Sequence, residues 1–151
     1  MDIKKIRDFR KILRSFERLT NIQLKSCCSG VSLAQCHVLL EIEELGQATT
    51  GQLAQRLGLD KSTLSRTIDG LVNTGLVERL PNPKDRRFTP LVVTKQGKAI
   101  CAGINQVADD YYSRVFKSIP QGKHEAVIRN LSLLVQALLN EENRRIAEPV
   151  F

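Results

Sequence analysis

The tightest constraint on this chain is a three-residue break, Gly58-Leu59-Asp60, set between two short stretches of helical periodicity. Glycine takes a left-handed backbone at little cost, so Gly58 ends the first stretch. Asp60 carries the short acceptor that a helix start needs for its unpaired amides, so it opens the second. The first stretch, 51–57, follows Thr49-x-x-Gln52, which has the form of a capping box. The second, 61–73, is closed by Gly75. After Gly75 the pattern changes. Leu76-Val77-Glu78-Arg79-Leu80 is short and rich in strand formers, Pro81-Asn82-Pro83-Lys84-Asp85 is turn chemistry, and 89–94 contains Leu91-Val92-Val93. Two such strands around a turn predict a hairpin. Pro90 has no amide to donate, which suits a ribbon made only of edge strands.

The flanks are helical. Ile6, Phe9, Leu13 and Phe16, widened by Ile3, Ile12, Leu19 and Ile22, predict a helix over 3–24 that Ser29-Gly30 stops. Another helix is expected over 33–45, capped by Gly46. Beyond the hairpin, 95–117 aligns Ile100, Ile104, Val107, Tyr111 and Val115, and 121–145 aligns Val127, Ile128, Leu131, Leu134, Val135 and Leu138, with Pro120 between them. The expected fold class is mainly α with a small β-hairpin wing, a winged helix-turn-helix with N- and C-terminal dimerisation helices. A single domain of 151 residues then holds a winged core at 33–95, with dimerisation helices at 1–28 and 98–148. The first and last helices have broad apolar stripes and no place in so small a core, so a symmetric second copy is the expected cover. A helical layer packed on itself is the alternative.

Charge placement narrows the function. Residues 1–26 carry +5, 27–59 carry −2, 60–98 carry +4 and 99–151 are neutral, within a total of +7. A basic middle points to an anionic partner. In helix-turn-helix geometry the second helix enters the DNA major groove and its first residues meet the bases. Those residues are Lys61, Ser62, Thr63, Ser65 and Arg66: hydroxyls that donate or accept, and a guanidinium that can bridge two acceptors on guanine. Leu64, Ile68, Leu71 and Val72 form the opposite, core-facing stripe. The hairpin tip, Lys84-Asp85-Arg86-Arg87, adds three positive charges suited to an adjacent minor groove, with Asp85 as a tether that aims a neighbouring arginine. An ordinary amphipathic helix and a solvated loop would satisfy each half separately. Their immediate succession favours the joint reading.

The stretch Gly75-Leu76-Val77-Glu78-Arg79, then Pro83, Asp85-Arg86-Arg87, Leu91-Val92-Val93-Thr94 and Gly97 resembles the multiple-antibiotic-resistance regulator (MarR) signature, and the likeness extends over almost the whole chain. Pro90 departs from that pattern. The resemblance implies a homodimer on short pseudo-palindromic DNA, with Arg87 as the minor-groove contact and Asp85 as its orienting partner. The expected function is sequence-specific transcription regulation by a homodimeric repressor, released by an effector. A winged module that binds only proteins is the alternative.

The effector is less legible. Cys27, Cys28 and Cys36 fall within ten residues, and such thiols can hold a soft metal ion or arsenite, or be oxidised. Lys25 is the one cation close in sequence that would favour a thiolate. Cysteine equally packs as a small hydrophobe, and both Cys36 and Cys101 sit among core-type neighbours. His37 beside Cys36 points about 100° away on a helix, so the two do not share a proton, though His37 remains a candidate metal ligand. The rival effector is a small aromatic molecule, for which the resemblance implies a pocket between dimer helices and winged domain. Control by concentration alone is the third option. No phosphate loop, GxSxG, HExxH or usefully spaced carboxylate pair suggests an enzyme. The longest uncharged stretch, 26–40, is broken by polar residues, and charges interrupt the start of the chain, so neither a membrane span nor a signal peptide is expected and the location expected is cytoplasmic.

Overall fold

A computed structural model describes residues 2–27, 30–81 and 89–147, with side chains except at 23–27 and 145–147. The elements in order are α1 (Ile3–Cys27), α2 (Leu33–Leu45), α3 (Thr50–Leu57), α4 (Lys61–Asn73), β1 (Val77–Arg79), β2 (Leu91–Val93), α5 (Lys95–Lys117), a 3₁₀ turn (Gln121–Lys123) and α6 (His124–Ala147). Two compact units result, Met1–Ala108 and Asp109–Phe151.

Side-chain caps set the helix starts. Ser32 Oγ accepts from the Gln35 amide at 3.2 Å, while Gln35 Oε1 accepts from the Ser32 amide at 2.9 Å. Thr49 and Gln52 make the same reciprocal pair ahead of α3. The ends of α3 and α4 both close on glycines of positive φ. Gly58 has φ 61°, and the Leu59 amide donates back to the Ala54 carbonyl. Gly75 has φ 72°, and the Leu76 and Gly75 amides donate to Leu71 and Val72, which satisfies carbonyls that α4 would otherwise leave open.

The core of the first unit gathers Val38, Leu39 and Ile42 of α2, Leu53 of α3, Leu64, Ile68 and Leu71 of α4, both strands, and Cys101 of α5. The strands pair antiparallel, with Val77 opposite Val93 and Arg79 opposite Leu91. The hairpin is not made only of edges, as Pro90 had suggested. Ala48 and Leu91 exchange both backbone hydrogen bonds, at 3.0 and 2.8 Å, so the free side of β2 is tied to the segment entering α3. Pro90 stands one residue before that bridge. Its carbonyl accepts from Leu80 at 2.8 Å, and having no amide it cannot return the bond, so the ladder ends there.

α1 contrasts with this core. Phe9, Ile12, Phe16, Leu19 and Ile22 are all exposed, and none of its described side chains is buried. In the second unit the Phe116 and His124 rings meet edge to face at 5.2 Å, and His124 Nε2 donates to the Ile119 carbonyl at 2.9 Å. Ile128, Leu131, Leu138 and Leu139 of α6 are exposed.

Candidate nucleic-acid interface

Fully buried Leu64 and Leu71, with Ile68, hold α4 against the core and turn its other side outward. Lys61, Ser62, Thr63, Ser65 and Arg66 are all exposed there, and among the described residues no carboxylate pairs with Lys61 or Arg66. The helix start is organised by Asp60. Its Oδ1 accepts the Ser62 hydroxyl at 2.6 Å and the Thr63 amide at 2.8 Å. These donors, the Ser62 hydroxyl first, hold its carboxyl well below the usual carboxylate range. Ser62 is therefore half committed: its proton goes to the Asp60 carboxylate that caps the helix, and only its lone pairs remain for a ligand. The Thr63 carbonyl accepts the Thr67 hydroxyl at 3.0 Å.

The hairpin is fixed to this helix in two ways. Thr94 Oγ1 donates to the Gly75 carbonyl at 2.7 Å and accepts the Gly97 amide at 3.1 Å, so one hydroxyl links the end of α4 to the start of α5. A Cβ on Gly97 would lie 2.1 Å from the Leu76 carbonyl oxygen and 2.6 Å from Val93 Cγ1. That contact is the physical reason for Thr and Gly at these places. The second link is an ion pair, Arg79 Nη2 to Asp69 Oδ1 at 2.6 Å, from the end of β1 to the side of α4. Sequence reasoning missed it, because two residues ten apart on different elements leave no periodic signal. On the other side, Arg56 of α3 is engaged by Glu41, with Glu44 at 3.6 Å, and so is held to α2.

The wing-tip residues Lys84, Asp85, Arg86 and Arg87 lie outside the described residues, as do Cys28 and the Cys27 side chain. Cys36 is buried against Ile104, packed as a small hydrophobe would be. Among the described residues no cluster of three His, Cys, Asp or Glu could hold a metal ion. Burial first, then a hydrogen bond to Glu43, pushes the Cys101 thiol up to about 12. His37 is exposed and, with Leu33, Ala34, Leu57 and Leu59, lines an open apolar groove of about 380 Å³.

The profile of the MarR family matches residues 29–87. The multiple antibiotic resistance protein MarR of Escherichia coli is 37% identical over 104 residues, which span 68% of this chain and 71% of that protein. The chain belongs to the MarR family. It is a DNA-binding transcriptional regulator with a winged helix-turn-helix fold. A crystal structure of a cysteine variant of Escherichia coli MarR complexed with operator DNA superposes on this family member with a TM-score of 0.72. There the identity is 27%, over 92% of this chain and 99% of the other. A MarR family protein from Bacillus stearothermophilus, 20% identical, shares the fold with a TM-score of 0.81 over 91% and 98% of the two chains. No described helix of this MarR-family chain is long and apolar enough to cross a membrane.

Proposed function

We propose that this regulator is a cytoplasmic homodimeric repressor without enzymatic activity. Two copies of α4 read successive major grooves of a pseudo-palindromic operator through Lys61, Ser62, Thr63, Ser65 and Arg66. Lys84, Arg86 and Arg87 reach the flanking minor grooves, with Asp85 orienting Arg87. The observation that carries this is the clean division of α4, its apolar side buried and its polar first turns exposed, with no carboxylate paired to Lys61 or Arg66 among the described residues. The operator complex of the Escherichia coli relative supports it. The exposed apolar stripes of α1 and α6 support the dimer, since each stripe must be covered by something.

Release from DNA comes from an effector. The groove beside His37 favours a small aromatic molecule, and thiol oxidation or a soft metal or arsenite at Cys27, Cys28 and Cys36 is the second reading. The test is selection of a preferred duplex from a randomised pool. Binding to it is then titrated against salt with the protein reduced, oxidised, or given arsenite or zinc. Selective, salt-sensitive binding supports the repressor, and Arg66→Ala should lose preference at one base in each half-site at a cost of about 1–3 kcal/mol. Release that Cys27→Ser abolishes would assign the sensor to the thiols. No selected duplex at all would favour a protein-interaction module.

A further inference from the structure

Asp69 and Arg79 stand outside the residues assigned to DNA, yet together they decide what Arg66 is free to do. Ser62, Arg66, Asp69 and Asn73 follow at four-, three- and four-residue steps, so they form one line down the exposed side of α4. Asp69 is the one acidic residue within α4. It lies three residues after Arg66, a spacing at which an arginine and an aspartate on one helix can meet. Unrestrained, Asp69 would draw the Arg66 guanidinium along the helix and away from a base edge. The structure gives Asp69 a different partner, Arg79 at 2.6 Å, and leaves Arg66 with no carboxylate among the described residues.

We propose that Arg79 is a positioning residue for base recognition: by holding Asp69 it keeps Arg66 available to DNA, and it anchors the base of the hairpin to the recognition helix. Both side chains are about half exposed, and an ion pair so placed adds little to folding stability. Its consequence is therefore read in recognition rather than in melting. The inference rests on α4 being the helix that faces DNA.

The test is a cycle of R79Q, D69N and the double variant against the duplex that the wild-type protein selects, with thermal unfolding measured on each. R79Q weakens binding about tenfold and flattens the same base preference that R66A flattens, because Asp69 then engages Arg66. D69N/R79Q regains most of that loss, to within about threefold of wild type, because the competing carboxylate is gone. If Arg79 instead touches phosphate itself, or merely braces the hairpin, removing Asp69 rescues nothing. The double variant then stays as weak as R79Q and the proposal falls. If R66A binds as tightly as wild type, the DNA-facing assignment has failed and this proposal goes with it. If R66A weakens binding but the double variant is not rescued, only the role of Arg79 has failed.

Discussion

Residues 33–101 and helix α1 use the same device, apolar residues at helical spacing, with opposite results. In the first region Leu39, Leu53, Leu64 and Leu71 are fully buried, and strands, caps and turns close around them. In α1 the corresponding residues lie open: Ile12 is 70% exposed and Ile22 63%. Periodicity therefore says which side of a helix must be covered, but not by what. The winged part supplies its own cover from three short helices, the start of α5 and a hairpin. A single long helix cannot, so the apolar side of α1 stays open in the single chain.

The contrast can be broken most sharply inside the winged part. Gly97→Ala places a methyl 2.1 Å from a backbone carbonyl that both strands and Thr94 hold in place. The expected loss is about 3 kcal/mol of stability in urea unfolding, independent of protein concentration, together with loss of operator binding. A change within about 0.5 kcal/mol would mean that the strand base yields easily and does not position the hairpin. The next largest effect belongs to α1. Phe16→Asp should raise the dimer dissociation constant about a hundredfold, as for a central apolar anchor, while the winged part keeps its helical signal. Sedimentation at several concentrations measures it. A wild-type chain that sediments as a monomer at micromolar concentration would remove the idea that a second copy covers α1. A smaller effect is expected at the start of α4. Asp60→Ala removes the acceptor for Ser62 and Thr63, and should lower the melting temperature by a few degrees near neutral pH. The Asp60 carboxyl is more acidic in the folded chain than its ordinary 3.8, so its contribution is present above that value and is lost as pH falls below it. The gap between variant and parent should therefore close in acid. A gap as wide at pH 2 as at neutral pH would point to lost packing instead of a lost cap.

The same contrast separates what the sequence made legible from what it did not. Bounds for α2 and α4 follow from punctuation, because Gly46 and Gly75 take a positive φ that ends a helix and Asp60 caps the first amides of α4. Where punctuation is weak the ends drift. α1 runs to Cys27 and not 24, and a 3₁₀ turn precedes α6, so that helix proper begins at His124 and not 121. The polar residues of the first turns of α4 could be picked out because their side is opposite a core stripe. The bridge from Ala48 to β2 could not, since a single residue pair has no period. Nor could the Asp69–Arg79 pair, since charge in sequence does not say which opposite charge is near in space. The cover of α1 was legible as a need, and the molecule that meets it was not.

The gentlest test concerns the last buried thiol of the winged part, and it reaches a region that neutral-pH measurements leave silent. Cys101 is fully buried on α5, and its thiol holds its proton up to about 12 where an ordinary thiol releases it near 9.0. Between those values the unfolded chain has shed a proton that the folded chain still keeps. The unfolded state thus binds fewer protons there, so stability must fall as pH rises from 9 toward 12. Burial is the main cause, with the Glu43 carboxylate opposing the thiolate as well, so the effect should belong to the core and not to exposed groups. Cys101→Ala leaves a small apolar side chain with nothing to ionise. It should lose a constant amount of stability at neutral pH through the lost sulfur contacts, and it should show a shallower decline above pH 9. Parallel curves for variant and parent across that range would mean that the thiol ionises as easily folded as unfolded, and hence that α5 opens at this point. A shallower curve for the variant would place the start of α5 with the self-covered part of the first unit, in contrast to the open stripe of α1.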